Sequence, residues 1–501
     1  MQIEQPFELV LFGGLGDLAL RKLFPALYLL ELDKRLPQGR IIALGRTELD
    51  LDEALAKIKQ AVFDQVADTY QCEMSWQSLV ARLTYVCIDV QQGSAYQALA
   101  NELDEACPNR LFYFATASFL YADIAANLDS NGLIQGASKV VLEKPIGHDL
   151  ASAQAINKSV ANHFKESQIY RIDHYLGKET VQNLMVLRFA NSIFESQWNQ
   201  QYIDHIQISI SESLGVEKRA GFYEQVGAFR DMMQNHLLQL LCIVAMEPPS
   251  KMEPDAVRDE KVKVIKALRP IEGKDIHENV IRGQYGKGVS DGAPVPRYRD
   301  EVGVDVKSHT ETFVAMKVEI ENWRWAGVPF YLRTGKRLAE RACEIVVQFK
   351  EIPHSIFSMQ HKETMANKLI FRLQPDEGIR LQLCEKKIGS GMKVRPMTLS
   401  LNPENPSQEY MQIQYPDRDP NQNGVRVPEA YERLLFDALA SNPTLFLRDD
   451  ELMQAWDWVD PILAAWLESD SAPEPYTAGS WGPAAATLLM AKDGRLWNEN
   501  N

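Results

Sequence analysis

Nine consecutive residues, Arg171-Ile172-Asp173-His174-Tyr175-Leu176-Gly177-Lys178-Glu179, combine a carboxylate, an imidazole, a phenol and an ammonium without a packing pattern. Clusters of titratable groups of this kind mark sites of proton transfer or anion binding. An apolar helical pattern over 181–194 follows at once, so the cluster stands at a predicted helix start, where orphan N–H groups and the positive dipole end favour an anionic ligand. A solvated charged loop is the other reading of the same spacing. A second concentration, Arg230, Asp231, Gln234, Asn235 and His236, lies in a predicted helix over 224–246 whose apolar face is Met233, Leu237, Leu240, Leu241 and Val244. His236 is either a satisfied core histidine or a general base, being the side chain whose unperturbed pKa lies near neutrality. A third, Tyr331 to Arg337 with Lys336 and then Arg341, gathers positive charge in a chain of net charge -15. That is what a small phosphorylated substrate needs, and also what a solvated basic turn looks like.

The elements that must position these groups begin at the N-terminus. Phe7 to Phe12 reads as a buried strand, Gly13-Gly14-Leu15-Gly16-Asp17-Leu18 as a tight turn, and 19–32 as a helix. Strand, glycine turn and helix in that order form a dinucleotide-binding opening, because the backbone must turn sharply and approach a pyrophosphate with no Cβ in the way. The spacing is G-G-x-G-D-L and no Gly-Lys-Ser/Thr follows, so a P-loop is disfavoured. The next strand, 40–45, runs into Arg46, where an NAD-preferring protein places an acidic residue for the ribose 2′-hydroxyl. Arginine there pairs with a 2′-phosphate and favours NADP+, with NAD+ a weaker alternative. Further strands at 83–88, 110–115 and 139–142 alternate with helical patterns, which predicts a doubly wound parallel sheet. The last of them runs into Glu143-Lys144-Pro145-Ile146-Gly147, aiming Lys144 at the crevice beyond the strand ends; a plain turn is the alternative.

From residue 181 the pattern changes. Strands at 203–211, 312–320, 343–349, 368–373 and 379–384 lack helices between many of them, as in a mostly antiparallel sheet. The expected fold is therefore α/β plus α+β: a Rossmann-type domain over 1–177 and a larger α+β domain over 178–501. The nine-residue cluster falls at that boundary, where ligand sites are usually found. The acidic balance argues against a nucleic-acid partner. Six cysteines without C-x-x-C spacing indicate neither a metal site nor a disulfide framework, and fit a reducing cytoplasm. The sequence shows no signal peptide and no apolar run long enough to span a membrane.

Taken together, the glycine turn, Glu143 to Gly147, Arg171 to Glu179, the run Arg230-Asp231-Met232-Met233-Gln234-Asn235-His236, the segment from Trp323 to Arg341 and Ala478-Gly479-Ser480-Trp481-Gly482-Pro483 resemble the glucose-6-phosphate dehydrogenase family. The resemblance implies oxidation of β-D-glucose 6-phosphate at C1 with hydride transfer to NADP+, the entry to the oxidative pentose phosphate pathway. It implies His236 as the base and Asp173 as the group that orients it. His174, Tyr175 and Lys178 are then the phosphate grip, and Lys144, Glu212 and Asp231 hold sugar hydroxyls, with Lys144 also near the cofactor. Lys336 and Arg341 close the pocket. A cis Lys144–Pro145 bond, a homodimer or homotetramer, and substrate binding and dimerisation by the domain over 178–501 are further implications. Two departures stand out. Leu15 removes a hydroxyl from the turn, and Ala115-Thr116-Ala117-Ser118 lacks the family's usual proline at the local cofactor contact. Another NAD(P)-dependent sugar oxidoreductase and a catalytically silent nucleotide-binding regulator are the competing readings.

Overall fold

The computed structural model describes residues 6–499 apart from 105, 108, 291, 358–365, 376, 390–391, 402–425, 427 and 470. It separates into two compact units, one made of residues 1–178, 249–259 and 428–456, the other of 179–248, 260–427 and 457–501.

In the first unit the apolar runs become strands β1 (Phe7–Phe12), β2 (Gly39–Gly45), β3 (Leu83–Cys87), β4 (Asn109–Phe114), β5 (Lys139–Leu142) and β6 (Ile169–Ile172). Their order is β6-β5-β4-β1-β2-β3, all parallel, with Phe446–Leu447 added antiparallel on the β6 edge. This is the doubly wound sheet that the alternation predicts; β6 and the edge strand are additions to it. Being covered on both faces, β1 is buried throughout, and its one charge, Glu8, meets Arg110 of β4 at 2.9 Å directly across the register. Strand order reverses at β1, so the crevice at the carboxyl ends opens beside its glycine turn.

Lys139 at the start of β5 is buried, with no carboxylate partner among the described residues. Its ammonium donates to Ala438 O at 2.9 Å, Leu439 O at 3.3 Å and Ser441 Oγ at 2.8 Å, closing the carboxyl end of the helix Ala430–Leu439. Burial lowers its pKa from 10.5 to about 8. The unfolded lysine keeps its proton to higher pH than the folded one, so this group adds stability as pH rises from about 8 toward 10.5 and contributes no pH dependence below 8. Relative to Lys139→Met, the wild type is expected to gain on the order of 2 kcal/mol between about pH 7.5 and 9.5 in urea denaturation. Parallel curves for the two proteins would mean that the buried ammonium titrates as an ordinary lysine.

The second unit is built on β7 (Ile203–Ser211), β8 (Val280–Gly286), the hairpin β9 (Gly288–Ser290) and β10 (Ala293–Val295), β11 (Phe313–Val318), β12 (Phe330–Gly335), β13 (Ala342–Phe349), β14 (Lys368–Gln374), β15 (Gly378–Lys386) and β16 (Val394–Leu401). Outside the hairpin they form one sheet, β16-β15-β14-β13-β7-β12-β11-β8, with Glu474–Thr477 at the β8 edge. The sheet is mostly antiparallel. Two pairs are parallel: β7 with β12, and the edge strand with β8.

The single helix expected over 224–246 is three pieces. An α-helix, Ala220–Ala228, breaks at Gly227, a π-helix runs over Phe229–Leu237, and an α-helix continues over Leu238–Ala245. Gly227 has φ +67, and a Cβ there would lie 2.3 Å from Glu311 Oε1. The same carboxylate accepts from Phe229 N at 3.0 Å, satisfying a donor at the new helix start. The pattern expected over 181–194 likewise divides into Glu179–Phe189 and Ser192–Glu195. No helix of the described residues is long and apolar enough to cross a membrane.

Candidate active site

In the first unit the glycine turn is held between two strand ends. Gly14 N donates to Leu44 O at 2.7 Å and Gly16 N to Gly13 O at 2.8 Å. Gly13 has φ +80, and a Cβ on it would sit 2.6 Å from Ala115 O; on Gly14 it would sit 2.8 Å from the Ala43 side chain. The backbone thus comes as close to its neighbours as glycine permits, and the helix over 19–32 starts directly after it with a π turn at Ala19–Leu23. The lack of proline at 115–118 leaves the segment anchored, since Ala115 N donates to Phe12 O at 3.0 Å. Beside the turn, Thr116 Oγ1 is buried with no hydrogen-bond partner among the described residues. A dinucleotide fits this place: a sharp glycine backbone, a helix start and an unsatisfied hydroxyl converge on one strand end. Leu15 and Leu18 are half-buried, and Asp17 is exposed with Arg21 at 3.6 Å. Arg46 is exposed at the carboxyl end of β2, the strand to which the turn is bonded.

The strand ends of β5 and β6 carry the next group. Glu143 is buried. Its carboxylate takes the Tyr113 hydroxyl at 2.5 Å and that of Tyr431, and the Tyr121 hydroxyl bridges its backbone, accepting from N at 3.1 Å and donating to O at 2.9 Å. Burial raises the Glu143 carboxyl, against the lowering effect of the Tyr113 bond and the Lys144 charge. The following Lys144–Pro145 bond is cis, as the resemblance implies. Past β6, Asp173 Oδ1 accepts from Tyr175 N at 2.9 Å, an Asx turn that fixes the loop. His174 stacks on Tyr431 at 5.9 Å between ring centres with an angle of 15°, and Lys178 Nζ lies 5.3 Å from the Tyr175 ring centre. Gly177 is demanded by close approach, a Cβ there falling 2.7 Å from Ala430 O. Arg171 is structural: fully buried, it is tied to Asn157 and to Glu166 at 2.7 Å.

In the second unit, the parallel pairing sets Ser211 between Gly335 of β12 and Ala342 of β13. Glu212, Lys336 and Arg341 therefore leave three adjacent strands at one end of the sheet. Glu212 N donates to Gly335 O at 3.0 Å, Leu338 N to Glu212 O at 2.9 Å, and Lys336 Nζ to Glu212 Oε2 at 2.6 Å. Arg341 is exposed. The π-helix Phe229–Leu237 packs on β7, β11 and β12. Because π winding bonds each residue to the fifth along, Asp231 and His236 share a face that an α-helix would have split. His236 is fully buried and its N donates to Asn235 Oδ1 at 2.6 Å.

With this geometry in place, the comparisons are specific. A model of the "Glucose-6-phosphate dehydrogenase, NAD binding domain" matches residues 10–183, and one of the "Glucose-6-phosphate dehydrogenase, C-terminal domain" matches 185–498. The chain belongs to the glucose-6-phosphate dehydrogenase family. It is 46% identical over 498 residues to the glucose-6-phosphate 1-dehydrogenase of Rhizobium meliloti (strain 1021), covering 99% of this chain and 98% of that one. It is also 46% identical, over 499 residues, to that of Mycolicibacterium smegmatis, covering 98% and 97%. A solved structure of a glucose-6-phosphate dehydrogenase in complex with its substrate glucose-6-phosphate superposes over 100% of both chains with a TM-score of 0.87 at 33% identity. A levoglucosan dehydrogenase, at 11% identity and a TM-score of 0.50, shares the fold alone.

The first unit thus assembles Gly13, Gly14, Leu15, Gly16, Asp17, Leu18, Arg46, Lys144, Asp173, His174, Tyr175 and Lys178 at the carboxyl ends of β1, β2, β5 and β6. The second gathers Glu212, Lys336 and Arg341 at one end of its sheet, with Asp231 and His236 on the helix packed against the same strands. Tyr431 escapes the sequence reading, and Glu143 and Thr116 enter it only within the segments Glu143 to Gly147 and Ala115 to Ser118. Tyr431 sits at the start of an ordinary amphipathic helix, and its contacts with His174 and Glu143 show what it does.

Proposed function

We propose that the chain oxidises β-D-glucose 6-phosphate at C1 to 6-phospho-D-glucono-1,5-lactone, with hydride transfer to NADP+, the first step of the oxidative pentose phosphate pathway. The observation that carries this reading is full-length similarity to glucose-6-phosphate 1-dehydrogenases across both domain models. NADP+, when bound, supplies the hydride acceptor. In this reading the unit of residues 1–177 holds the dinucleotide on Gly13 to Leu18, with Lys144 reaching both cofactor and sugar. His236 takes the proton of the C1 hydroxyl, and Asp173 orients the imidazole and offsets its charge. His174, Tyr175 and Lys178 hold the phosphate, and the cation and aromatic surface they cluster supports that role. Glu212 and Asp231 accept from sugar hydroxyls, and Lys336 and Arg341 add positive charge from the sheet. Positioning donor carbon against acceptor is the main contribution of the chain.

Homodimer or homotetramer formation through the residue 178–501 region is part of the same reading. Light scattering checks it. A cytoplasmic location goes with this metabolic role.

One spectrophotometric assay tests the activity and the cofactor choice together. Glucose 6-phosphate is expected to be oxidised with NADP+ and free glucose hardly at all; equal turnover of the two sugars would defeat the assignment. Arg46→Ala is expected to lower kcat/KM for NADP+ by about 10- to 100-fold, the worth of a charge-assisted phosphate contact, while changing that for NAD+ about twofold or less. An equal loss with both cofactors would show that Arg46 does not read the 2′-phosphate.

A further inference from the structure

Lysine is a flexible point charge on a four-carbon stem, so a lysine that must meet a substrate in one place has to be held there. Lys336 is held at every level. Its N donates to Thr312 O at 2.9 Å, and its O accepts from the buried Tyr476 hydroxyl at 2.6 Å. The next residue, Arg337, has φ +51, a left-handed conformation that a non-glycine residue keeps only when neighbours impose it. Here Arg337 N donates to Leu214 O at 3.1 Å and Gly479 N to Arg337 O at 2.7 Å. At the tip of the side chain stand the Glu212 carboxylate and a second surface, the ring of Tyr223, whose centre is 5.1 Å from Nζ.

We propose that Tyr223 is a positioning residue for the reaction: its ring face and Glu212 clamp the Lys336 ammonium where it meets the sugar phosphate. The inference rests on the reading that Lys336 contacts substrate. The two anchors differ in kind. The Glu212 side chain is 37% exposed, so its attraction is shared with water, whereas Tyr223 is 3% exposed and offers its negative face in a dry setting, where a cation–π contact is strongest. The ring cannot turn away. It meets Tyr298 edge-on at 6.3 Å and 69°, and the Tyr298 hydroxyl is fixed by donating to Glu224 at 2.6 Å. Burial and the nearby carboxylates of Asp231, Glu311 and Glu212 push the Tyr223 phenol well above its ordinary range, so the ring stays a neutral phenol. Nothing in the clamp uses the hydroxyl, and this makes the idea separable from packing.

Tyr223→Phe keeps the ring face, Tyr223→Leu keeps an apolar side chain without it, and pentafluorophenylalanine at 223 keeps the ring shape while inverting its charge pattern. The KM for glucose 6-phosphate is expected to stay within about twofold for the Phe variant and to rise about tenfold for the Leu and pentafluoro variants, with the KM for NADP+ unchanged. In a Lys336→Met background, Tyr223→Leu is expected to add no further loss. Should the Leu variant fail to fold by circular dichroism, the pentafluoro variant carries the decision. Equal KM for the Phe and pentafluoro variants, or a Leu effect that survives Lys336→Met, overturns the clamp. An unchanged KM for Lys336→Met alone removes instead the substrate contact on which it rests.

Discussion

His236→Asn is expected to lower kcat by about 10²- to 10⁴-fold while leaving KM for sugar and cofactor within a few fold, since general-base catalysis is a transition-state contribution. Oxidising a hydroxyl carbon requires its proton to leave as the hydride does. Without a positioned base that proton must pass to water, and His236 is fully buried on a helix that also buries Phe229, Met232, Met233 and Leu237. Asparagine preserves size and polarity, so near-ultraviolet circular dichroism should match the wild type. A variant that keeps its kcat would show that the base is another group.

The second large effect is expected at Lys178. Lys178→Met should raise KM for glucose 6-phosphate by about 10- to 100-fold, the worth of one charge-assisted hydrogen bond to phosphate, with the KM for NADP+ unmoved. The sharper readout is discrimination: the ratio of kcat/KM for glucose 6-phosphate over free glucose should fall by the same factor, because only the phosphorylated sugar loses a partner. Lys178 is buried and its ammonium lies over the Tyr175 ring, so a side chain of similar length is needed to keep the packing. A loss shared equally by both sugars would mean that the substitution had disturbed the loop and not the grip.

Much of this architecture was legible in the residues themselves. The strand at Phe7–Phe12, the turn at Gly13 to Leu18 and the succession of parallel strands followed from local rules: runs of apolar residues bounded by turn formers, and glycine where φ is positive and a Cβ would meet Ala115. The cluster from Asp173 to Lys178 declared itself by chemistry, having no packing pattern to explain it. What local patterns could not tell apart was which of its members were structural. Arg171, at the head of the same run, is locked to Asn157 and Glu166, which its position beside His174 does not reveal.

The sequence by itself determined the residue types at the site, the parallel sheet that carries the glycine turn and the mostly antiparallel sheet beyond it, because these depend on hydrophobic period and turn chemistry within a few residues. Only the tertiary structure decided how the side chains are presented. Gly227 and the buried Glu311 break a helix that periodicity would continue, and the π turn that follows puts Asp231 and His236 on one face. The parallel pairing of β7 with β12 brings Glu212 beside Lys336, and contacts from Thr312, Leu214, Tyr476 and Gly479 hold the strained backbone there. Tyr431 reaches Glu143 and His174 from far along the chain. Each of these is set by the burial and pairing of residues distant in sequence, whose energies outweigh local preference and leave no trace in local spacing.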